Sequence, residues 1–579
     1  MKMDLAPAVT AALLFTAFHL QAAPAVSSGH GGAVATVSEQ ASQAALQILD
    51  QGGNAIDAAV AAAATLGVTD PFSCGVGGGG FMLIYSAADD KVISIDHRET
   101  APAYFSPEVF KQDGVAMEWQ DVVPTGISVG VPGTVLGWQE ALTRYGTMNF
   151  EQLLAPAIKV AEDGFMLGEN FNRISTINEG KFSRFSSASQ LYLKDGKALP
   201  VGTHFRNPDL ANTYREIAAG GARAFYEGDI AKDIVAAVNQ PPVTSGTRVL
   251  TGSMALSDLK DYEVRVRQPI HSTYRGFDVY GMAPPSSGGI AIAQALNLLE
   301  TFDLSTMSRA EVEHLYLEAS RLAFADRNAY VADSEFTDVP VAGLLSKDYA
   351  KERAKLMGEK ASAKREPGDP FLYQDDPSVP LRPSNATLGQ ESTHTTHLAV
   401  SDREGNVVAY TFTIEDWGGS GIVVPGRGFL LNNELTDFDF SAPHPNVAEA
   451  YKRPRSSMSP TIVLQDGKPA FTIGSPGGST IITTVLQTLV NHIDLGMSLP
   501  DAVNAPRMSQ RNGDTTLVET LLEFPGSDQA SALEALGHRL AETDQIGAAN
   551  GIIFNDDGTV TAVSESKRHG VGTALVQQQ

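Results

Sequence analysis

Thr395-Thr396-His397 follow a stretch rich in Pro, Asp and Ser (Glu366 to Glu391) and open a run of alternating and β-branched residues. A threonine hydroxyl is a poor nucleophile at its own pKa. A free α-amine titrates near ~7.7–8.0 and can take the hydroxyl proton at neutral pH. If the bond before Thr395 were cut, one residue would carry both nucleophile and base, and no separate histidine would be needed. The surroundings suit that chemistry, because an exposed linker presents the bond and a buried hairpin would hold the new chain start rigidly. A bare Thr-Thr-His more often begins an ordinary strand, so its context has to decide.

Three other patterns compete. Gly126-Ile-Ser128-Val-Gly130 fits the G-x-S-x-G elbow of α/β-hydrolases, but Pro124 precedes it and Pro132 and Gly133 intervene before any helix, so the strand-to-helix context is wrong. His394 and His397 have the spacing of a metal pair, yet on a strand they point to opposite faces and no third ligand recurs nearby. Gly77 to Gly80 lack the Lys-Ser/Thr of a phosphate loop and are expected to allow close backbone packing.

The elements that must position Thr395 are legible. Thr396–Ser401 alternates, Asp402-Arg-Glu-Gly-Asn406 has turn composition, and Val407–Thr413 is β-branched and aromatic. This predicts an antiparallel hairpin in which Ser401 opposes Val407 and Thr395 faces Thr413. A one-residue slip would undo the pairing. A second hairpin, Thr461–Gln465 and Lys468–Gly474, leads through Ser475-Pro476-Gly477-Gly478 into a helix from Thr480 to Ile493. Upstream, Ala33–Val37 reads as a strand and Ser38 as the N-cap of a helix. Asn54 with Asp57 reads as the cap of an Ala-rich, buried helix. Phe81–Tyr85 and Lys91–Asp96 form a hairpin that delivers Arg98. The region from Glu140 to Met357 is expected to be mainly helical, and Glu366–Glu391 an exposed linker.

The chain has 579 residues, is 43% hydrophobic and 19% charged, and carries a formal net charge of −25, which describes a large folded enzyme rather than a disordered or fibrous chain. Phosphate backbones and anionic lipid surfaces would repel it, so no nucleic acid is expected as a partner. The apolar run Leu5–Leu20 followed by Gln21-Ala22-Ala23-Pro24-Ala25 predicts a secretory signal over residues 1–25 and a periplasmic or secreted protein. That run is shorter than the roughly 20 residues needed to span a bilayer. Cys74, the only cysteine, excludes an intramolecular disulfide framework.

In order along the chain stand GGNAIDAAVAAAATLGV, GVGGGGFM, DHRETAPA, VGVPGTVLGW, YGTM, APPSSGGI, ESTHTTHLAVSD, GFLLNNELTDF, RPRSSMSPTIV and GSPGGSTIITTVLQTL. In these stretches the chain resembles the γ-glutamyltransferase (γ-glutamyl transpeptidase) family of the N-terminal-nucleophile hydrolases, from about Ala35 to its last strands. The resemblance implies an α/β (α+β) fold built as a four-layer αββα sandwich. It also implies self-cleavage between His394 and Thr395, giving a large subunit of residues 26–394 and a small one of residues 395–579.

By the same resemblance Thr395 is the nucleophile, Thr413 bonds to it, and Gly477 and Gly478 supply the oxyanion hole, which suits two unhindered N–H groups at a helix N-terminus. It implies Arg98, Ser456 and Ser457 as ligands of a substrate α-carboxylate, and Asp437, Glu434 and Glu415 as ligands of its α-amine. Several relatives carry neutral amides at the last two positions. The implied substrates are γ-glutamyl donors (glutathione, glutamine or poly-γ-glutamate) with amino-acid or peptide acceptors, and no cofactor or metal. The 18 residues between Asp437 and Ser456 look shorter than in lid-bearing relatives, which implies an open site. A glutaryl or cephalosporin acylase of the same fold, and an inactive periplasmic γ-glutamyl-binding protein, remain alternatives.

Overall fold

Asn54 starts the helix Ala55–Thr69, its side chain accepting the Ile56 and Asp57 N–H groups while Asp57 reaches back to the Asn54 N–H. Asp57 also accepts from the Thr147 N–H and hydroxyl and from the Met148 N–H, so one buried carboxylate fastens a distant turn to the helix start. The helix is buried from Ala55 to Val68. Its alanines let it lie close against the sheet beneath, where larger side chains would hold it off.

The protein was analysed as a computed structural model, which describes residues 25–374, 394–568 and 572–578. The signal expected over 1–25 lies outside these except for Ala25, as does most of the expected linker. Two seven-stranded antiparallel sheets form the centre. The first runs, edge to edge, Val26–Gly29, Val560–Val563, Asn550–Phe554, Lys468–Gly474, Thr461–Gln465, Phe277–Gly281, Ile270–Tyr274. The second runs Arg265–Arg267, Lys91–Asp96, Gly79–Ser86, Val407–Thr413, Thr396–Ser401, Ala33–Thr36, Thr573–Val576.

Helices Glu39–Asp50 and Ala55–Thr69 cover the outer face of the second sheet; Gly288–Leu299, Arg309–Tyr330 and Thr480–Ile493 pack on the first. The result is the expected αββα sandwich. Small residues, among them Ala33, Ala35, Ala399, Ala562 and Ala574, fill part of the space between the sheets and bring them together.

The predicted hairpin is present in the predicted register, from Thr396 opposite Phe412 to Ser401 opposite Val407. Asp402 fixes its loop: it accepts the Asn406 N–H at 2.9 Å and side-chain amide at 2.8 Å, and the Ala55 N–H at 2.8 Å. The second hairpin carries a bulge at Val463/Leu464.

Three expectations need correction. Ser38 precedes its helix without capping it; its hydroxyl bonds Gln40 and Thr69 instead. The helical middle also supplies three sheet strands between Arg265 and Gly281. The described start of the expected exposed linker is partly buried, because Pro370 and Phe371 turn inward and Phe371 packs with Tyr330, Leu344 and Tyr349. No helix among the described residues is long and apolar enough to cross a membrane.

Candidate active site

Side chains alternate along a strand. Since Leu398 and Val400 face the Ala-rich helix and Ala399 faces the other sheet, Thr395 belongs to the set that points between the sheets. Thr413 lies on the matching face of the partner strand. Their hydroxyl oxygens are 3.4 Å apart. The Thr395 hydroxyl donates to the His394 carbonyl at 2.6 Å, and the Thr413 hydroxyl donates to the same carbonyl at 3.1 Å while accepting the Glu415 N–H at 2.9 Å. Two hydroxyls thus converge on one peptide bond, in a site where Thr395 is only 8% exposed.

The neighbouring strand Lys468–Gly474 ends beside this point and hands over to Ser475–Ser479. Gly477 has φ +136° and Gly478 φ +54°, conformations that favour glycine. A Cβ on Gly477 would stand 2.6 Å from the Thr480 hydroxyl. Gly478 and Thr395 line one cavity together with Arg98, Glu415, Glu434, Asp437, Ser456 and Ser457. All ten expected site residues therefore gather at one end of the sandwich, save that Gly477 stands one residue behind that lining.

Arg98 leaves the Lys91–Asp96 strand and is fully buried. Its guanidinium donates to Glu434, to Asp437 at 2.5 Å, and to the carbonyls of Arg455 at 2.9 Å and Pro454 at 3.2 Å. Arginine and acids were expected to face opposite ends of a ligand; in this structure they face each other, since opposite charges in a buried site pair directly. Burial alone would lower the Arg98 pKa, but Glu434, Asp437 and Glu99 raise it on balance. Glu434 is pushed up to about 7 by burial, with Arg98 opposing and Asp437 adding. Burial, reinforced by Asp437, Asp416 and Glu434, lifts the Glu415 carboxyl well above the usual range. Glu99, which the sequence reading did not single out, is likewise raised by burial and by Glu434.

The serines are braced from behind. The Ser456 carbonyl accepts the Ser287 N–H at 2.8 Å and hydroxyl at 2.7 Å, and the Ser456 N–H donates to Pro285. Arg327 donates to the Ser457 hydroxyl at 2.7 Å and to Ser287 at 2.9 Å. The APPSSGGI motif thus acts as a buttress for this wall.

His394 has its own seat. Its ring stacks on Trp417 with centroids 3.5 Å apart and planes at 14°. The Arg173 guanidinium lies over the same indole at 4.8 Å. Lys181 ties down the platform, donating to Asp416 at 2.8 Å and to the carbonyls of Trp417 at 2.6 Å and Gly419 at 3.0 Å. Burial pushes the His394 imidazole down to about 3, with Asp416 opposing, so the ring is neutral at pH 7. Trp417 and Asp416 directly follow Glu415, a signal that could have been read. Arg173 and Lys181 arrive from a distant helical region and left no local trace.

The decoys take structural places. The Ser128 hydroxyl donates to Val123 at 2.8 Å and Thr125 at 2.9 Å and is buried. His397 bonds Thr411 at 2.7 Å and lies against Gly474, where any Cβ would stand 2.2 Å from its ring. Gly77 and Gly78 sit so close to the backbone at Leu430 and Thr413 that a Cβ would fall 2.0 and 1.9 Å from carbonyl oxygens.

The fold, two antiparallel sheets packed between helices, is that of the N-terminal-nucleophile hydrolases. The sequence profile of the gamma-glutamyltranspeptidase family matches residues 41–575. The glutathione hydrolase proenzymes of Bacillus subtilis (strain 168) and Escherichia coli (strain K12) are 40% and 38% identical to this chain, over 95% and 93% of it and 92% and 90% of theirs. The acylase ACY 1 proenzyme of Pseudomonas sp. (strain SE83) is 36% identical over 95% of this chain and 94% of its own. Among solved structures, the cephalosporin acylase from Bacillus halodurans superposes with a TM-score of 0.84 at 28% identity, covering 98% of this chain and 100% of that one. The chain belongs to the gamma-glutamyltranspeptidase family and is an enzyme of that family.

Proposed function

We propose that the chain is an autoprocessing γ-glutamyl hydrolase and transferase that cleaves the γ-glutamyl amide of glutathione and related donors. The observation that carries this reading is the convergence of the Thr395 and Thr413 hydroxyls on the His394 carbonyl, beside a buried arginine and three acids. In maturation Thr395 Oγ1 adds to the His394 carbonyl carbon while Thr413 polarises its oxygen. The hydroxyl proton passes to the Thr395 nitrogen as the C–N bond breaks, which frees the α-amine, and water then hydrolyses the ester at His394. The large and small subunits then span residues 26–394 and 395–579.

In turnover the freed amine takes the Thr395 hydroxyl proton as Oγ1 adds to the donor's γ-carbonyl, and the N–H groups of Gly477 and Gly478 hold the oxyanion. The amine returns the proton to the leaving nitrogen, leaving a glutamyl ester on Thr395. Water or an acceptor amine releases it. Arg98, Ser456 and Ser457 receive the α-carboxylate, and Glu415, Glu434 and Asp437 the α-ammonium, each displacing part of the Arg98–acid pairing.

The 18 residues between Asp437 and Ser456 are the ground for reading the mouth as one that admits bulky donors, poly-γ-glutamyl chains and water. The apolar leader supports a periplasmic or secreted location. The kinship with acylases favours a second reading, a glutaryl-type acylase. Such an acyl group has no α-amine: its carboxylate would draw Arg98 away from Glu434 and Asp437 and bring no cation in exchange. Comparing hydrolysis of a γ-glutamyl amide with that of the matching glutaryl amide tests the choice: the glutamyl donor should be favoured at least tenfold, and preference for glutaryl would reject the proposal.

A further inference from the structure

Two cavities meet at Thr395. One is the arginine–acid pocket; the other is lined by Ser73, Asn170, Ile174, Trp417 and Pro476, and His394 borders both. A donor whose carbonyl carbon reaches Thr395 Oγ1, with its α-carbon at Arg98, must send its amine half out on the far side. In the uncut chain the far side is the space that His394 occupies, and cutting the bond after it would free that residue to leave.

We infer that the seat of His394 becomes the site of the leaving amine and of the acceptor in the mature enzyme, and that its Trp417 surface selects amines bearing a flat aromatic or imidazole ring. The inference rests on the glutamyl reading above and adds a second substrate class to it. The seat already holds a ring in van der Waals stacking at 3.5 Å, on a platform whose backbone Lys181 anchors. The chain thus uses one aromatic platform twice, first to hold the residue before its own scissile bond and then to hold what the glutamyl group is taken from or given to.

Aromatic stacking of this kind corresponds to roughly 2- to 10-fold in kcat/KM. The test uses the fully cleaved enzyme with γ-glutamyl-phenylalanine and γ-glutamyl-alanine as donors. The wild type should favour the aromatic donor by that factor, and Trp417→Ala should bring the ratio close to one. Because Trp417 also seats His394 before cleavage, processing of the variant is scored first on a denaturing gel. Independently of any variant, wild-type glutamyl-enzyme offered equal phenylalanine and alanine should transfer to phenylalanine in the same excess. Equal use of both amines, or a donor ratio untouched by Trp417→Ala in cleaved enzyme, overturns the inference. If cleaved wild type turns over neither donor, it is the glutamyl reading that fails instead.

Discussion

At Thr413 a hydroxyl donates to the same carbonyl that Thr395 is proposed to attack, so its removal takes away polarisation without touching the proposed nucleophile. Thr413→Ala should slow appearance of the two-chain form, with an effect on the order of the ~10²-fold seen when one oxyanion donor is lost; a time course on denaturing gels checks this. Glu434 gives the pH dependence. In the proposed role it must be ionised to face an ammonium, and burial raises it to about 7. The freed Thr395 amine must also be neutral, so kcat/KM for a γ-glutamyl donor should fall up to tenfold per pH unit below ~7.7–8.0 and more steeply below the point where Glu434 protonates too; constancy down to about pH 5 would contradict this. The sign for the fold is opposite. A carboxyl raised above its ordinary value of 4.5 binds more protons folded than unfolded, so its contribution to stability shrinks as pH rises from there through about 7. At this scale the types of residue were legible, but their pairing was not. A sequence cannot show that Arg98 would close onto Glu434 and Asp437, because those partners lie more than 300 positions away and meet only through folding.

The hairpin that sets Thr395 against Thr413 was readable because Asp402-Arg-Glu-Gly-Asn406 permits one loop and hence one register. The strands between Arg265 and Gly281 were not, being short and flanked by helix, with Val266 exposed rather than in a continuous apolar face. Asp57 makes an element-scale prediction. It accepts four hydrogen bonds while fully buried, from Asn54, Thr147 and Met148, and touches none of the cavity residues. Asp57→Ala leaves those donors unsatisfied, which costs about 1–3 kcal/mol. Thermal unfolding should shift to lower temperature while kcat of the surviving folded, cleaved enzyme stays near wild type. An unchanged melting temperature would show that the cap carries no such weight.

Across the whole molecule, the proposed cut falls between segments that are woven together. Strands from before residue 394 and strands from after it are hydrogen-bonded neighbours in both sheets: Gly79–Ser86 beside Val407–Thr413, Ala33–Thr36 between Thr396–Ser401 and Thr573–Val576, and Phe277–Gly281 beside Thr461–Gln465. Separating the two products would break two sheets and open their shared core. They should therefore elute as one particle in native size-exclusion chromatography and part only in denaturant; a free small subunit under native conditions would contradict this interleaving. The sandwich as a class could be expected from ordered motifs, whereas the aromatic seat for His394 joins segments that no pattern links. The most direct test of the central claim is intact-mass analysis with N-terminal sequencing of active enzyme and of Thr395→Ala. The account predicts a chain of 185 residues beginning at Thr395 in the active protein, and one uncut, inactive chain in the variant. Full activity in an unbroken polypeptide would contradict it.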